Sequence, residues 1–227
     1  MRIIVLQHEV HNPPGLLGDW ARDRDHELAV TMVEDGVTFE VPAAGEALVC
    51  LGSDHRSSKL STHDEITGPE VDCIRATHDS GGAFLGICFG AHALALALGG
   101  SVTRLPALEV ELGPIHVEDS DLIAAGPWLR WNRNTAVLPE SLRAAADVGG
   151  IPMTFISRGA IGLQFHPEAG TSLAEKWISH HLEWLARWEI DVPQLRAQVR
   201  AAAIGATERA FAQFDMIEAR WRSEGRV

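Results

Sequence analysis

Three residues could together make an acyl-transfer centre: Cys88, His166 and Glu168. A thiolate attacks carbonyl carbon well, but it needs a base to move protons and a third group to hold that base. Cys88 lies in Phe84-Leu-Gly-Ile-Cys-Phe-Gly-Ala-His92, where an apolar run ends in Gly86-Ile87-Cys88-Phe89-Gly90. The spacing of two glycines about a nucleophile is that of a sharp strand-to-helix turn. Such a turn crowds the backbone on both sides of the sulfur, and positions without Cβ relieve the crowding. It also sets the sulfur at a helix N-terminus, where the dipole and open N–H groups favour thiolate. The N–H of Phe89 then points toward a developing oxyanion. A buried structural thiol is the alternative reading, and it suits Cys50 and Cys73 better.

The base and its partner come from Gly162-Leu-Gln-Phe-His166-Pro167-Glu168. An apolar strand delivers His166 at its end, and Pro167 stops further pairing. Glu168 stands two residues on, placed to bond the imidazole and set its tautomer. His-Pro-Glu alone is a weak signal. Its weight comes from a cysteine elbow about 80 residues upstream.

Elements that could position these groups follow from the apolar pattern. Ile3–Leu6, Leu28–Val33, Ala47–Leu51 and Ala83–Ile87 read as buried strands of a parallel sheet. Pro69 to Thr77 reads as a crossover helix, and the Ala/Leu run after Cys88 as a helix stopped by Gly99-Gly100. The expected fold is α/β, an open and mostly parallel sheet with helices on both faces. From about Val102 the runs shorten: Ile115–Val117, Thr135–Leu138, Met153–Ser157 and Ala160–Phe165 suggest an antiparallel extension. Leu173–Trp188, and a run from Pro193 to about Arg222, read as helical, with the tail's tryptophans and phenylalanines packing it onto the body or a partner. One domain over residues 1–227 is the simplest division, with a helical extension at about 190–227.

Bulk properties narrow the functions. A net charge of −12, with no basic stripe, argues against nucleic-acid binding. No stretch reaches the roughly 18–20 apolar residues of a membrane span. Three cysteines without metal-type spacing favour free thiols in a reducing, cytoplasmic setting. His8 with His11, and the pair His180-His181, could suggest a metal. Neither comes with Cys or carboxylate at ligand spacing, so no metal and no cofactor is expected.

Taken together, the two motifs resemble those of the class I glutamine amidotransferases, whose triad is Cys, His and Glu in this order. More narrowly, the chain is similar to stand-alone relatives of the amidotransferase domain of GMP synthetase. The likeness runs from Leu6-Gln7-His8-Glu9 through Leu48–Ser53 and the elbow to Leu163–Glu168 and the helical tail. It implies Cys88, His166 and Glu168 as the catalytic triad. It also implies an oxyanion hole from N–H groups at Gly52, Ser53 and Phe89, with Ser53 where a second glycine is usual. Three departures bear on the substrate. His92 stands where the family has a glutamine that reaches the substrate's amino-acid head. Arg130-Trp-Asn-Arg-Asn-Thr135 replaces a Trp-His-Gly-Asp-Thr segment, and Leu108-Glu-Val-Glu-Leu-Gly113 replaces a Pro-Glu-Ile-Gly pattern. His92, Arg130, Asn132, Arg133 and Asn134 are thus the expected substrate-binding residues, the two arginines suiting a carboxylate or phosphate.

Three functions compete at this level. The first is a glutaminase that feeds ammonia to a partner synthase. No nucleotide-binding loop of the Ser-Gly-Gly-x-Asp-Ser or P-loop type is present, so an ATP-dependent acceptor step would sit on another chain. The second is a stand-alone hydrolase of a γ-glutamyl compound. The third, against which the full triad speaks, is an inactive regulatory subunit. In either enzymatic case a glutamine-like electrophile should label Cys88, as read by mass spectrometry of the digested protein. A label on Cys50 or Cys73 instead would remove the assignment.

Overall fold

A computed structural model describes residues 1–33, 37–54, 68–118 and 121–227. Ten strands and seven helices lie among them. Strands β1 (Arg2–Gln7), β2 (Glu27–Met32), β3 (Glu46–Cys50), β4 (Ala83–Ile87) and β10 (Ala160–Leu163) pair in parallel, in the order β2-β1-β3-β4-β10. Beyond β10 the sheet turns antiparallel through β9 (Ile151–Ser157), β8 (Arg143–Val148) and β6 (His116–Val117). A separate two-stranded sheet joins β5 (Ser101–Gly113) to β7 (Trp128–Val137). The parallel half and its antiparallel extension match the sequence pattern. The long strand β5 does not: Pro106 and scattered charges hide its period, and a bulge between Arg104 and Glu109 breaks its alternation.

Strand alternation builds two cores. Val5, Val49 and Leu85 point to one face, where Leu17 and Trp20 of α1 (Gly15–Asp23) meet Phe214, Ile217 and Trp221 of α7 (Ala206–Ser223). Leu6, Leu48 and Phe84 point to the other, beneath α2 (Gly68–Asp79) and α3 (Phe89–Ala97). A third cluster sets Leu108, Val110 and Leu129 of the small sheet under α4 (Thr171–His180), α5 (Leu182–Arg187) and α6 (Val192–Ala201). The helical run expected over Leu173–Trp188 breaks at His181, and the tail breaks again before Gly205, which is left-handed at φ 74°. The tail packs on the body. Trp20 donates to Asp215 at 2.8 Å, and Trp221 donates to the Gly159 carbonyl at 2.7 Å.

Two glycines fix how α3 leaves the sheet. A Cβ on Gly86 would stand 2.3 Å from the Gly90 carbonyl, and one on Gly90 would stand 2.1 Å from the Cys50 oxygen. Both contacts are with backbone, so no side chain can give way. Gly18, inside α1, meets only ordinary contacts at 3.6 and 3.7 Å. Thermal or denaturant unfolding should therefore move in opposite directions at the two helices. Gly90→Ala should lose at least about 1–3 kcal/mol through overpacking. Gly18→Ala should gain about 0.5–1 kcal/mol from helix propensity.

Candidate active site

The nucleophile and base emerge from neighbouring strands. β4 and β10 pair with Gly86 opposite Gly162 and Ile87 opposite Leu163, and the Cys88 N–H donates to the Leu163 carbonyl at 2.7 Å. Cys88 and His166 therefore leave the same end of the sheet. Cys88 sits at φ 52°, ψ −103°, outside the regions a side-chain-bearing residue prefers. A conformation of this kind costs about 1–3 kcal/mol and persists only where the surroundings enforce it. Here the enforcing contacts are the tight crossings at Gly86 and Gly90.

His166 is 5% exposed and Glu168 is 3% exposed. The imidazole Nδ1 and Glu168 Oε1 are 2.7 Å apart. The His166 N–H donates to the Leu129 carbonyl, and the Glu168 carbonyl accepts from Leu16, so the segment is pinned on both sides. Trp177 meets the imidazole edge to face at 5.0 Å. Nε2 lacks a conventional hydrogen-bond partner and is left for Cys88. Burial works against charge on this ring and is the largest single influence. The Glu168 carboxylate and the Cys88 sulfur together outweigh it, and the pKa rises to about 10.

Gly52 stands over both reacting groups. A Cβ there would lie 3.5 Å from His166 Cε1 and 3.6 Å from Cys88 Cβ. Ser53 turns its hydroxyl away, donating to Glu9 at 2.9 Å, so the extra side chain does not fill the cavity through that bond. Phe89 begins α3, and the first-turn N–H groups of a helix lack intrahelical partners. Gly52 and Ser53 thus line one cavity with Cys88, and Phe89 follows it in the chain.

A cavity of about 270 Å³ opens beside Cys88 and His166. His92, Asn132, Arg133 and Asn134, four of the residues expected to meet the substrate, line it. Asn132 is 1% exposed, with Oδ1 4.0 Å from the Cys88 sulfur and Nδ2 without a hydrogen-bond partner among the described residues. Arg133 has no ion-pair partner among the described residues. His92 faces the cavity but its Nε2 is held by Gln164 Oε1 at 2.8 Å. Gln164 also accepts from the Ala136 N–H and donates to the Pro152 carbonyl, which fixes its orientation, so His92 carries its proton on Nε2. Burial pulls the His92 pKa down to about 4, against Gln164 and the Asn134 backbone. The ring is a neutral part of a buried network.

Arg130 is a correction. Its side chain is buried and does not line the cavity. Its Nε donates to Glu109 at 2.8 Å, a terminal nitrogen pairs with Glu111, and another donates to the Pro114 carbonyl at 3.0 Å. Glu111 and Arg130 are cross-strand partners in the β5–β7 register. Nothing local joins them in the sequence, because no strand is read at Ser101–Gly113. Trp131 and Trp184 were missed as site residues. They stack nearly parallel, 6.2 Å apart, on the cavity wall. The seven-residue spacing of Trp177 and Trp184 signalled a shared helix face, but packing was the simpler reading.

A buried imidazolium has consequences for pH. An ordinary histidine titrates near 6.5. The stability from the raised His166 pKa is complete below that value and is lost as pH rises through about 10. In nitrogen NMR of histidine-labelled protein, His166 should be charged at pH 8. In Glu168→Gln, which removes the main supporting charge, it should be neutral there. A neutral ring in the unaltered protein would refute the ion pair.

Comparison with known proteins bears on the family and the fold. The profile of the family described as Glutamine amidotransferase class-I matches residues 54–182, a span holding Cys88, His166 and Glu168. A GMP synthase of Mycobacterium leprae is 29% identical over 150 residues, covering 58% of this chain but 28% of the synthase. The glutamine amidotransferase-like protein YfeJ of Salmonella typhimurium is 25% identical over 205 residues, covering 82% of this chain and 83% of YfeJ. In fold, a glutamine amidotransferase from Thermotoga maritima superposes with a TM-score of 0.80 at 21% identity, over 96% of this chain and 98% of that one. The match over more than half of its length makes this chain a member of the class I glutamine amidotransferase family.

Proposed function

We propose that the chain hydrolyses the side-chain amide of glutamine and supplies the ammonia to a partner synthase. The observation that carries this reading is the strained Cys88 beside a buried His166–Glu168 pair. In the reaction, the Cys88 thiolate attacks the amide carbon and the oxyanion is held by N–H groups of Phe89 and the Gly52–Ser53 turn. His166 gives its proton to the leaving nitrogen, and ammonia departs from a cysteinyl thioester. His166 then takes a proton from water, hydroxide attacks the thioester, and glutamate leaves with the thiol restored. In this reading Arg133, which lines the cavity, meets the substrate carboxylate, and Asn132 Nδ2 donates to it. The GMP synthase of Mycobacterium leprae is glutamine-hydrolysing by name, and this chain spans 28% of its length. Transfer to an acceptor on another polypeptide follows from that reading.

A second reading, hydrolysis of a larger γ-glutamyl compound, is favoured by one observation. Trp131 and Trp184 form a flat apolar wall in the cavity, which suits a bulky leaving group better than ammonia. Steady-state kinetics on glutamine and on a series of γ-glutamyl amides separates the two. Because His92 replaces the head-group glutamine, free glutamine should turn over about 10–100-fold below an efficient glutaminase, the cost of about one or two matched hydrogen bonds. Arg133→Ala should raise KM for carboxylate-bearing substrates more than it lowers kcat. Efficient glutamine hydrolysis by the isolated chain, with no preference for larger amides, would exclude the second reading. No hydrolysis of any γ-glutamyl substrate, alone or with cell extract, would exclude both.

A further inference from the structure

We propose that His11, His180 and His181, with Asp54, form a binding site for a zinc-type divalent cation on the wall of the Cys88 cavity. Sequence alone kept these residues apart. His11 follows β1, Asp54 follows β3, and His180-His181 lies where α4 breaks from α5. The fold brings all three segments to one place. Each histidine offers a nitrogen, and the three ligand atoms lie within 4.8 Å of one another. Asp54 Oδ2 stands 3.3 Å from His11 Nε2 and 3.3 Å from His181 Nε2.

The separations about Asp54 match those between ligands of one metal, and the histidine nitrogens lie within 4.8 Å of one another. A tetrahedron with arms of about 2.0–2.1 Å has edges of about 3.3–3.4 Å, so the two nitrogen–oxygen separations already match ligand edges. Three imidazoles and one carboxylate are a donor set of nitrogen and oxygen that suits zinc and its neighbours over calcium or magnesium. The ligands are also held from behind. Trp177 donates its indole N–H to the His11 carbonyl at 2.9 Å, and Trp131 packs against His181 at 5.7 Å.

Asp54 and His181 line the same cavity as Cys88. Asp54 also follows directly on Gly52-Ser53, the turn that approaches both reacting groups. A cation here would tie that turn to the α4–α5 junction and present a positive charge to a substrate carboxylate. The site stands on its own geometry and does not depend on which γ-glutamyl substrate is used.

The test uses untagged, chelator-treated full-length protein and measures zinc binding by calorimetry, with cobalt as the spectroscopic probe. One equivalent should bind. The cobalt complex should show tetrahedral visible absorption without a thiolate charge-transfer band. His180 is exposed, so His180→Ala should fold normally by circular dichroism, and it should weaken zinc binding at least about tenfold, the lower range for losing even an outer-shell partner. His11→Ala should do the same. A thiolate band would move the metal to Cys88 or Cys50 and overturn the assignment. So would unchanged affinity in His180→Ala, or no stoichiometric binding at all.

Discussion

Everything at the site depends on how closely α3 can approach the sheet. The backbone of Gly90 touches the Cys50 carbonyl, and Gly86 touches Gly90, with no room for a single carbon at either place. That approach forces Cys88 into its left-handed conformation and holds its sulfur at the start of the helix. The strain is local, but its support is spread over β3, β4 and the buried Ala/Leu face of α3. The sulfur's position is therefore a property of the core and not of a loop.

The second half of the site is electrostatic. An imidazole with 5% exposure would ordinarily stay neutral. Glu168, itself buried and 2.7 Å away, reverses that preference. The pair is costly to bury and is held by backbone bonds from Leu16 and Leu129, which come from different layers of the fold. His92 shows the opposite outcome at nearly the same depth. With only neutral amide and backbone groups around it, its proton affinity falls. Two histidines on one cavity thus carry different charge because one has a carboxylate and the other does not.

The parallel strands, the elbow and the His-Pro-Glu strand end were legible because each is a local pattern. Buried parallel strands are continuous apolar runs, and the elbow needs its glycines at fixed spacing. The Phe89 N–H follows from the same turn, while Gly52 and Ser53 rest on the family resemblance. What could not be read was anything made by contact between distant segments. Arg130 looked like a ligand-binding arginine because its partners, Glu109 and Glu111, stood on a strand whose period a proline and a bulge concealed. Trp131 and Trp184 looked like packing residues because their stacking requires the small sheet to meet α5. His11 and His181 could not be joined without knowing that β1 ends beside α4.

The Arg130 pairing also changes what the departures from the family pattern mean. Two of them, the Leu108–Gly113 segment and the Arg130–Thr135 segment, are the two strands of one small sheet. The buried arginine needs the glutamates, since an unpaired charge there would cost several kcal/mol. The two segments are consequently coupled through that pair. A graft of the relatives' sequence onto β5 alone would leave the buried Arg130 charge without its glutamates, and its failure would say nothing about the substrate.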